Sequence, residues 1–126
     1  AMEVRQVSEG KNPDFETFKE YFKKYQQKFG LQQYRIDFNV RRIPNIFAQI
    51  QVHQTAKVCK AVFSTGLSKV NREMSNPVAD AKHEAIHLLL SRLRWLALSR
   101  CTSAEEVTEE MEGLVVKLES LIPDIE

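Results

Sequence analysis

The chain has 126 residues, of which 43% are hydrophobic and 28% are charged, and its formal net charge at pH 7 is +1. These proportions match an ordinary globular domain and exclude wholesale disorder, collagen-like repeats and low-complexity architectures. A net charge so close to zero excludes a whole-molecule electrostatic field that would attract DNA, RNA or anionic lipid.

The start has no apolar segment like that of a secretory signal, and the longest apolar stretches fall far short of the roughly 18 residues of a membrane-spanning helix. Ala1 in front of Met2 is typical of an expression tag, so residues 1–2 are set aside and residues 3–126 are predicted to form one domain. Cys59 and Cys101 are too few for a disulfide framework and lack C-x-x-C spacing, which favours reduced thiols. We therefore expect a cytoplasmic protein with no membrane contact.

Residues 12–30 carry the signals of a first helix. Asn12 suits the N-cap, Pro13 suits the first helical position and Gly30 suits the C-terminal stop. Between them, aromatic residues recur at spacings of three and four: Phe15, Phe18, Phe22, Tyr25 and Phe29. This spacing predicts one apolar helix face that packs in the core.

A change of period after residue 33 predicts three strands. Apolar and polar residues alternate over 34–41, and residues 47–52 and 57–63 form two further strand-like runs. The short polar link 53–55 between the last two runs predicts an antiparallel hairpin. Residues 67–76 have no clear period and are predicted to form a loop over the sheet.

Two helices are predicted after the strands. Asn76, followed by proline, repeats the start signal of the first helix, and the second helix is expected to run to about Arg100. Thr102 or Ser103 caps the third helix. The third helix carries an apolar stripe that is predicted to be core: Val107, Met111, Leu114, Val115, Leu118, Leu121 and Ile122. The predicted fold class is α+β, with an N-terminal helix, a three-stranded mostly antiparallel sheet and two C-terminal helices.

Within the second helix, His83, Glu84 and His87 form an H-E-x-x-H motif, for which this composition gives roughly 0.007 chance occurrences. A spacing of four places both imidazoles on one helix face, so that both can ligate one ion. Glu84 lies close to that ion without ligating it and can take a proton from the bound water. The sequence therefore predicts a catalytic Zn²⁺ site with His83 and His87 as ligands and Glu84 as general base.

A catalytic zinc site needs a third protein ligand, and no third histidine follows the motif at the spacing of known zinc motifs. The third helix carries several carboxylates, of which Glu112 is the preferred candidate. Gly113 beside it would let this helix approach the metal-binding helix closely. Glu109, Glu110 and His53 stay open as alternatives.

The H-E-x-x-H helix, the sheet before it and the Glu-bearing helix after it resemble small phage- and prophage-encoded zinc metallopeptidases. These look like minimal relatives of the zincins and gluzincins, akin to SprT-like and ImmA-like domains. The resemblance covers about residues 34–122. It implies an enzyme that hydrolyses peptides or proteins, in which His83, His87 and a downstream glutamate hold Zn²⁺ and Glu84 is the base.

The resemblance also implies how a substrate would bind. An edge strand of the sheet would align the substrate by backbone pairing, and the strand 57–63 is the candidate for that edge. A further group would stabilise the oxyanion opposite the zinc. The candidates for that group are Tyr34, His53 and Arg94.

One departure from the related thermolysin-like pattern concerns the residue that orients a zinc-bound histidine. That pattern reads E-x-x-x-D, whereas Val116 stands four positions after Glu112. The candidates for the orienting residue are therefore Asp80 and Glu119.

Two other functions are weighed against the peptidase. A non-catalytic phage accessory protein of the same shape would act by binding a host protein. Nucleic-acid binding is disfavoured by the near-neutral charge and would rest on six arginines: Arg35, Arg41, Arg42, Arg92, Arg94 and Arg100. The sequence assigns neither the substrate preference nor the oligomeric state.

Overall fold

The computed structural model describes residues 12–65 and 76–125. In these ranges, helices and strands follow one another in this order: α1 (Pro13–Lys28), β1 (Arg35–Arg41), β2 (Ala48–His53), β3 (Val58–Ser64), α2 (Pro77–Leu98) and α3 (Ala104–Leu121). The fold of this part of the chain is α+β, which confirms the predicted order of elements. The predicted loop 67–76 lies, apart from its last residue, outside the described residues. None of the helices in the two described ranges is both long and apolar enough to cross a membrane.

Each helix begins with a polar side chain that binds otherwise free backbone N–H groups. The side chain of Asn12 caps α1 and that of Asn76 caps α2, and each is followed by a proline in the first turn. Ser103 caps α3 in a capping box with Glu106, whose carboxylate accepts a hydrogen bond from the Ser103 N–H at 3.1 Å. The predicted helix starts are confirmed, and the choice between Thr102 and Ser103 is decided for Ser103.

The described sheet has the strand order β1-β3-β2, so β3 is its central strand. β3 pairs parallel with β1 and antiparallel with β2, which confirms the predicted β2–β3 hairpin. Two other predictions are wrong: the sheet is mixed and not mostly antiparallel, and the strand 57–63 is not an edge. The physical reason is burial. Residues 61–64 of β3 are buried one after another, so both faces of the strand are covered, as a central position requires.

The core combines one face of the sheet with α1 and α2. Phe18 and Phe22 of α1 are completely buried. Phe18 packs on Phe63 of β3 with ring centroids 5.3 Å apart, and Phe22 meets Phe38 of β1 edge-on at 5.5 Å. Burial raises the pKa of the Cys59 thiol in the same core to about 12, as expected for a small buried apolar side chain. The aromatic stripe predicted for the first helix is therefore confirmed as a core face.

α3 packs against the rest of the molecule along one narrow line. Leu114 is buried, and Val107 and Leu121, seven positions to either side, are partly buried. Other members of the predicted core stripe are exposed, with Met111 at 45% and Val115 at 51%. The prediction that the whole stripe lies in the core is wrong, because α3 meets the molecule on one side only.

Candidate metal centre

His83 and His87 lie one turn apart on α2, with their Nε2 atoms 3.2 Å apart. Two nitrogens that each lie about 2.0–2.1 Å from one tetrahedral ion are about 3.3–3.4 Å apart. The imidazole pair therefore has nearly the separation that two ligands of one Zn²⁺ ion require. Both residues are exposed, so an ion can reach them from solvent. Without an ion, the same distance allows one imidazole to donate an N–H···N hydrogen bond to the other.

Glu84 follows His83 in the motif but is turned into the molecule, and its side chain is only 10% exposed. Its Oε2 atom lies 4.0 Å from the Nε2 atom of His83. Burial, and after it the negative charge of Asp80, raises the pKa of Glu84 to about 7. A carboxyl group with a pKa near neutrality can both accept and release a proton under physiological conditions.

Asp80, one turn before Glu84 on α2, is a second acidic group at this site. Burial raises the pKa of Asp80, and the attraction of His83 acts in the opposite direction. Its Oδ2 atom is buried and has no hydrogen-bond partner among the described residues. Asp80 is thus near His83, whereas the other orienting candidate, Glu119, is exposed on α3. The orienting role of Asp80 stays a prediction, which this electrostatic contact favours.

The histidine pair and Glu84 line a groove of about 690 Å³ between α2 and β2. The α2 wall includes His83, Glu84, His87, Arg94, Trp95 and Leu98. The opposite wall is formed by residues 48–52 of β2. All five border the groove, although their side chains point alternately to the two faces of the sheet. The groove therefore runs along the outer edge of β2. Within the described sheet this edge pairs with no strand, so its backbone N–H and C=O groups are available to a ligand.

A partly buried chain of hydrogen bonds links the β2–β3 hairpin to α2. Tyr34 Oη donates to Gln54 Oε1 at 2.8 Å, and Gln54 Nε2 donates to Ser91 Oγ at 2.8 Å. Ser91 Oγ in turn donates to the carbonyl of Leu88 at 2.7 Å. Gln54 and Ser91 also line the groove, so this chain joins the two walls of the groove at the hairpin end. Sequence reasoning missed Gln54, because nothing in the polar link 53–55 marks one residue as buried.

The three predicted oxyanion-stabilising candidates lie in different places. Tyr34 is buried and its hydroxyl donates to Gln54, outside the groove lining. His53 is exposed at the end of β2 and does not line the groove either. Arg94 does line the groove, and it forms no ion pair in the part of the chain that the structure describes. Arg94 is therefore the candidate that the fold brings to the site.

The structure does not bring the predicted third ligand to the histidines. Glu112 and Glu109 are exposed on α3, and Glu110 pairs with Arg92 of α2 at 3.1 Å. A Cβ added at Gly113 would meet nothing within 4 Å, so the argument that Gly113 permits a close helix approach is wrong. Within residues 12–65 and 76–125, no group of three His, Cys, Asp or Glu side chains could hold a metal ion. Glu112 as a ligand stays a prediction that this geometry does not support.

Comparisons of the chain with family models, with curated proteins and with solved structures find no match. The resemblance to phage-encoded zinc metallopeptidases therefore stays an expectation from the sequence. The features of this chain that bear on function are the histidine pair, the buried carboxyl group and the groove beside β2.

Proposed function

We propose that this chain is a zinc-dependent peptidase of zincin-like architecture. The observation that carries the proposal is the pair of Nε2 atoms of His83 and His87, which lie 3.2 Å apart on one helix face. The carboxyl group of Glu84, 4.0 Å from one of them, adds the base that hydrolysis needs. The groove beside the outer edge of β2, which pairs with no other described strand, adds a place for an extended peptide.

A bound Zn²⁺ ion would supply Lewis acidity, polarising the scissile carbonyl and lowering the pKa of a water molecule. His83 and His87 would hold the ion through their Nε2 atoms, and the described residues bring no third protein ligand to this pair. Glu84 takes the proton of the attacking water and passes it to the leaving amine. The raised pKa of Glu84 suits both transfers, because its carboxylate binds a proton readily at neutral pH and releases it again.

The substrate class that the groove favours is an extended peptide. Such a peptide can add to the outer edge of β2 as a further strand, held by main-chain hydrogen bonds. Main-chain pairing accepts many sequences, so the preference comes from side chains that line the groove. Trp95 and Leu98 offer apolar contacts, and Arg94 offers a positive charge that pairs with no carboxylate among the described residues. We expect a preference for peptides in which apolar residues stand near an acidic one.

Zinc binding and hydrolysis by purified variants test the proposal. The parent protein should bind one Zn²⁺ per chain, measured by competition with a chromogenic chelator, and should cleave members of a quenched fluorescent peptide library. His83→Ala and His87→Ala should each lose zinc and activity, whereas Glu84→Gln should keep zinc and lose activity. His53→Ala is the matched control, because His53 is exposed and outside the groove, and it should keep both.

Three results would contradict the proposal. Full zinc binding in His87→Ala would show that the metal site is assigned to the wrong residues. A loss of zinc in His53→Ala as large as that in His83→Ala would show the same. Stoichiometric zinc without cleavage of any peptide in the library would contradict the peptidase activity.

A second candidate function is that of a non-catalytic binding protein of the same shape. The observation that favours it is the set of exposed apolar side chains on α3, which a monomeric domain rarely displays in a continuous line. Nucleic-acid binding has less support. Arg35 pairs with Asp37 at 3.2 Å and Arg92 pairs with Glu110 at 3.1 Å, which leaves fewer free charges for a phosphate backbone.

A further inference from the structure

α3 and its C-cap residue Ile122 expose a line of apolar side chains, here named the α3 seam: Met111, Val115, Leu118 and Ile122. Their exposed fractions are 45%, 51%, 37% and 63% in chain order. Their spacings of four, three and four residues are those by which two helices pack along a shared a/d seam. Leaving such a line in water is unfavourable, at about 25 cal/mol per Å² of apolar surface. The pattern is typical of a surface that packs against another helix.

The α3 seam is not the surface by which α3 attaches to its own domain. That attachment uses Val107, Leu114 and Leu121, which are spaced seven residues apart and are buried or partly buried. In the heptad numbering that gives the seam positions a and d, these three residues occupy the g positions. The domain therefore covers one flank of the seam and leaves the seam itself and its other flank open.

The open flank of the seam is acidic. Glu105, Glu112 and Glu119 occupy the e positions of the same heptads, and all three are exposed. None of them forms an ion pair within the described ranges. α3 as a whole carries six glutamates and one lysine. Because charges at e and g positions set the choice of partner in helix pairs, this row favours a partner with Lys or Arg along its facing side.

We propose that the α3 seam binds a basic amphipathic helix of another protein. A second copy of this chain fits poorly, because antiparallel self-pairing would set the acidic e row against itself. In parallel self-pairing, the e row would meet the g row, which the domain already covers. The occupant is therefore a helix of about three turns, with apolar residues at the same spacing and basic residues on one flank.

This surface is independent of the proposed peptidase activity, and it assigns Glu112 a role other than zinc ligation. Under this assignment, Glu112→Gln weakens helix binding and leaves zinc affinity unchanged. Under the ligand prediction, the same change weakens zinc affinity. One variant, measured in both assays, therefore separates the two roles.

Two labelled synthetic helices serve as probes. Both carry leucines at alternating spacings of three and four, and the flanking positions are all lysine in one peptide and all glutamate in the other. Each is titrated with the full chain, and binding is followed by fluorescence anisotropy at about 50 mM and about 300 mM salt. We expect the lysine peptide to bind at least about tenfold more tightly than the glutamate peptide at low salt, and to lose affinity several-fold at high salt.

Matched variants locate the binding surface. Val115→Asp should weaken binding of the lysine peptide by about tenfold or more. Val116→Asp is the control, because Val116 is 62% exposed but lies off the seam, and it should change binding by less than about twofold. Replacing Glu105, Glu112 and Glu119 together by glutamine should remove the preference for the lysine peptide. Circular dichroism melts confirm that each variant is folded.

Several results would overturn the proposal. These are equal affinity for the two peptides, equal losses in Val115→Asp and Val116→Asp, or no binding of the lysine peptide at about 1 mM. Sedimentation equilibrium of the chain alone is a further measurement that tests the proposal. A dimer that Val115→Asp dissociates would identify a second copy as the occupant of the seam.

Discussion

The two C-terminal helices depart from the ordinary pattern of burial in opposite directions. α2 buries a carboxyl group, since Glu84 is 8% exposed, whereas α3 exposes Val115 and Val116 at 51% and 62%. Both helices begin at a polar N-cap, so they do not differ in how they start. A buried acid lowers the stability of the isolated domain, whereas an exposed apolar line contributes little to it. Such departures from the ordinary pattern are expected where a chain meets a ligand.

The surroundings of the two helices explain why they suit different tasks. α2 packs against α1, β2 and α3, so its side chains are held from several sides. α3 attaches mainly to α2, through Val107, Leu114 and Leu121 and the ion pair of Glu110 with Arg92, and its opposite side is exposed in the described part of the chain. A constrained helix suits the positioning of metal ligands and a base, whereas a helix with a free face suits the binding of a partner.

The largest effect is expected at the buried acid of α2. Glu84→Gln keeps the size of the side chain and removes the base, so kcat/KM for a cleaved peptide should fall by roughly 10²- to 10⁴-fold. Zinc affinity should stay within about twofold, because Glu84 is not a ligand in the proposed site. Glu109→Gln, an exposed change on α3, is the control. A parallel loss of zinc in Glu84→Gln would show that this carboxylate binds the metal.

The second largest effect is expected on protein stability, where substitutions at two neighbouring residues compare the two faces of α3. Leu114→Ala should lower the free energy of unfolding by about 2–4 kcal/mol, because Leu114 is 6% exposed and its loss leaves a cavity. Val115→Ala should change it by less than about 0.5 kcal/mol, because Val115 is half exposed. Urea denaturation followed by circular dichroism measures both. Similar losses in the two variants would mean that the seam is covered in solution.

Features that depend on local structure could be predicted from the sequence. Asn12, Asn76 and Ser103 cap their helices with their own side chains. The spacing of His83 and His87 places their imidazoles together once the helix forms. Each of these features is determined by a few neighbouring residues, so a short window of sequence contains the information.

Features that depend on distant pairing could not be predicted in this way. The parallel pairing of β1 with β3 brings Arg35 to Val58, and neither strand alone carries a signal for the direction of its partner. In the sequence, Gln54 is typical of a turn residue, and only the tertiary fold brings it into contact with Ser91, 37 positions away. On α3, the stripe predicted one buried face, but only tertiary packing decides that Leu114 and not Val115 turns inward.

The pH dependence of stability should separate the buried acid of α2 from the exposed acids of α3. The pKa of Glu84 is raised from 4.5 to about 7 in the folded state, chiefly by burial. Between these pH values the unfolded chain ionises first, so the metal-free protein should lose stability as pH rises from about 4.5 to about 7, by at most about 3 kcal/mol. Above pH 7 both states are ionised and the loss is complete.

Glu84→Gln should lack this part of the pH dependence. Urea denaturation of chelator-treated parent and variant protein between pH 4.5 and 8 measures the difference. Burial also raises the pKa of Asp80, so the contribution of Glu84 is taken as the difference between the parent and variant curves. The exposed Glu112→Gln is the control and should follow the parent curve. Superimposable curves for parent and Glu84→Gln would show that Glu84 ionises normally.

The smallest effect is expected where the hairpin is held against α2. Gln54→Ala removes the central link between Tyr34 and Ser91 and leaves the buried Tyr34 hydroxyl without its acceptor, so the free energy of unfolding should fall by about 1–2 kcal/mol. Thr55→Ala, an exposed change in the same turn, should have almost no effect.

Because this link joins the two walls of the groove and does not touch the histidine pair, Gln54→Ala should raise KM for a peptide while leaving zinc affinity unchanged. A double-mutant cycle with Ser91→Ala tests the link directly. Residues joined by a buried hydrogen bond should show a coupling energy of about 0.5 kcal/mol or more. Strictly additive losses of unfolding free energy in Gln54→Ala and Ser91→Ala would mean that the hydrogen bond does not hold the hairpin in place. The shape of the groove would then depend on packing alone.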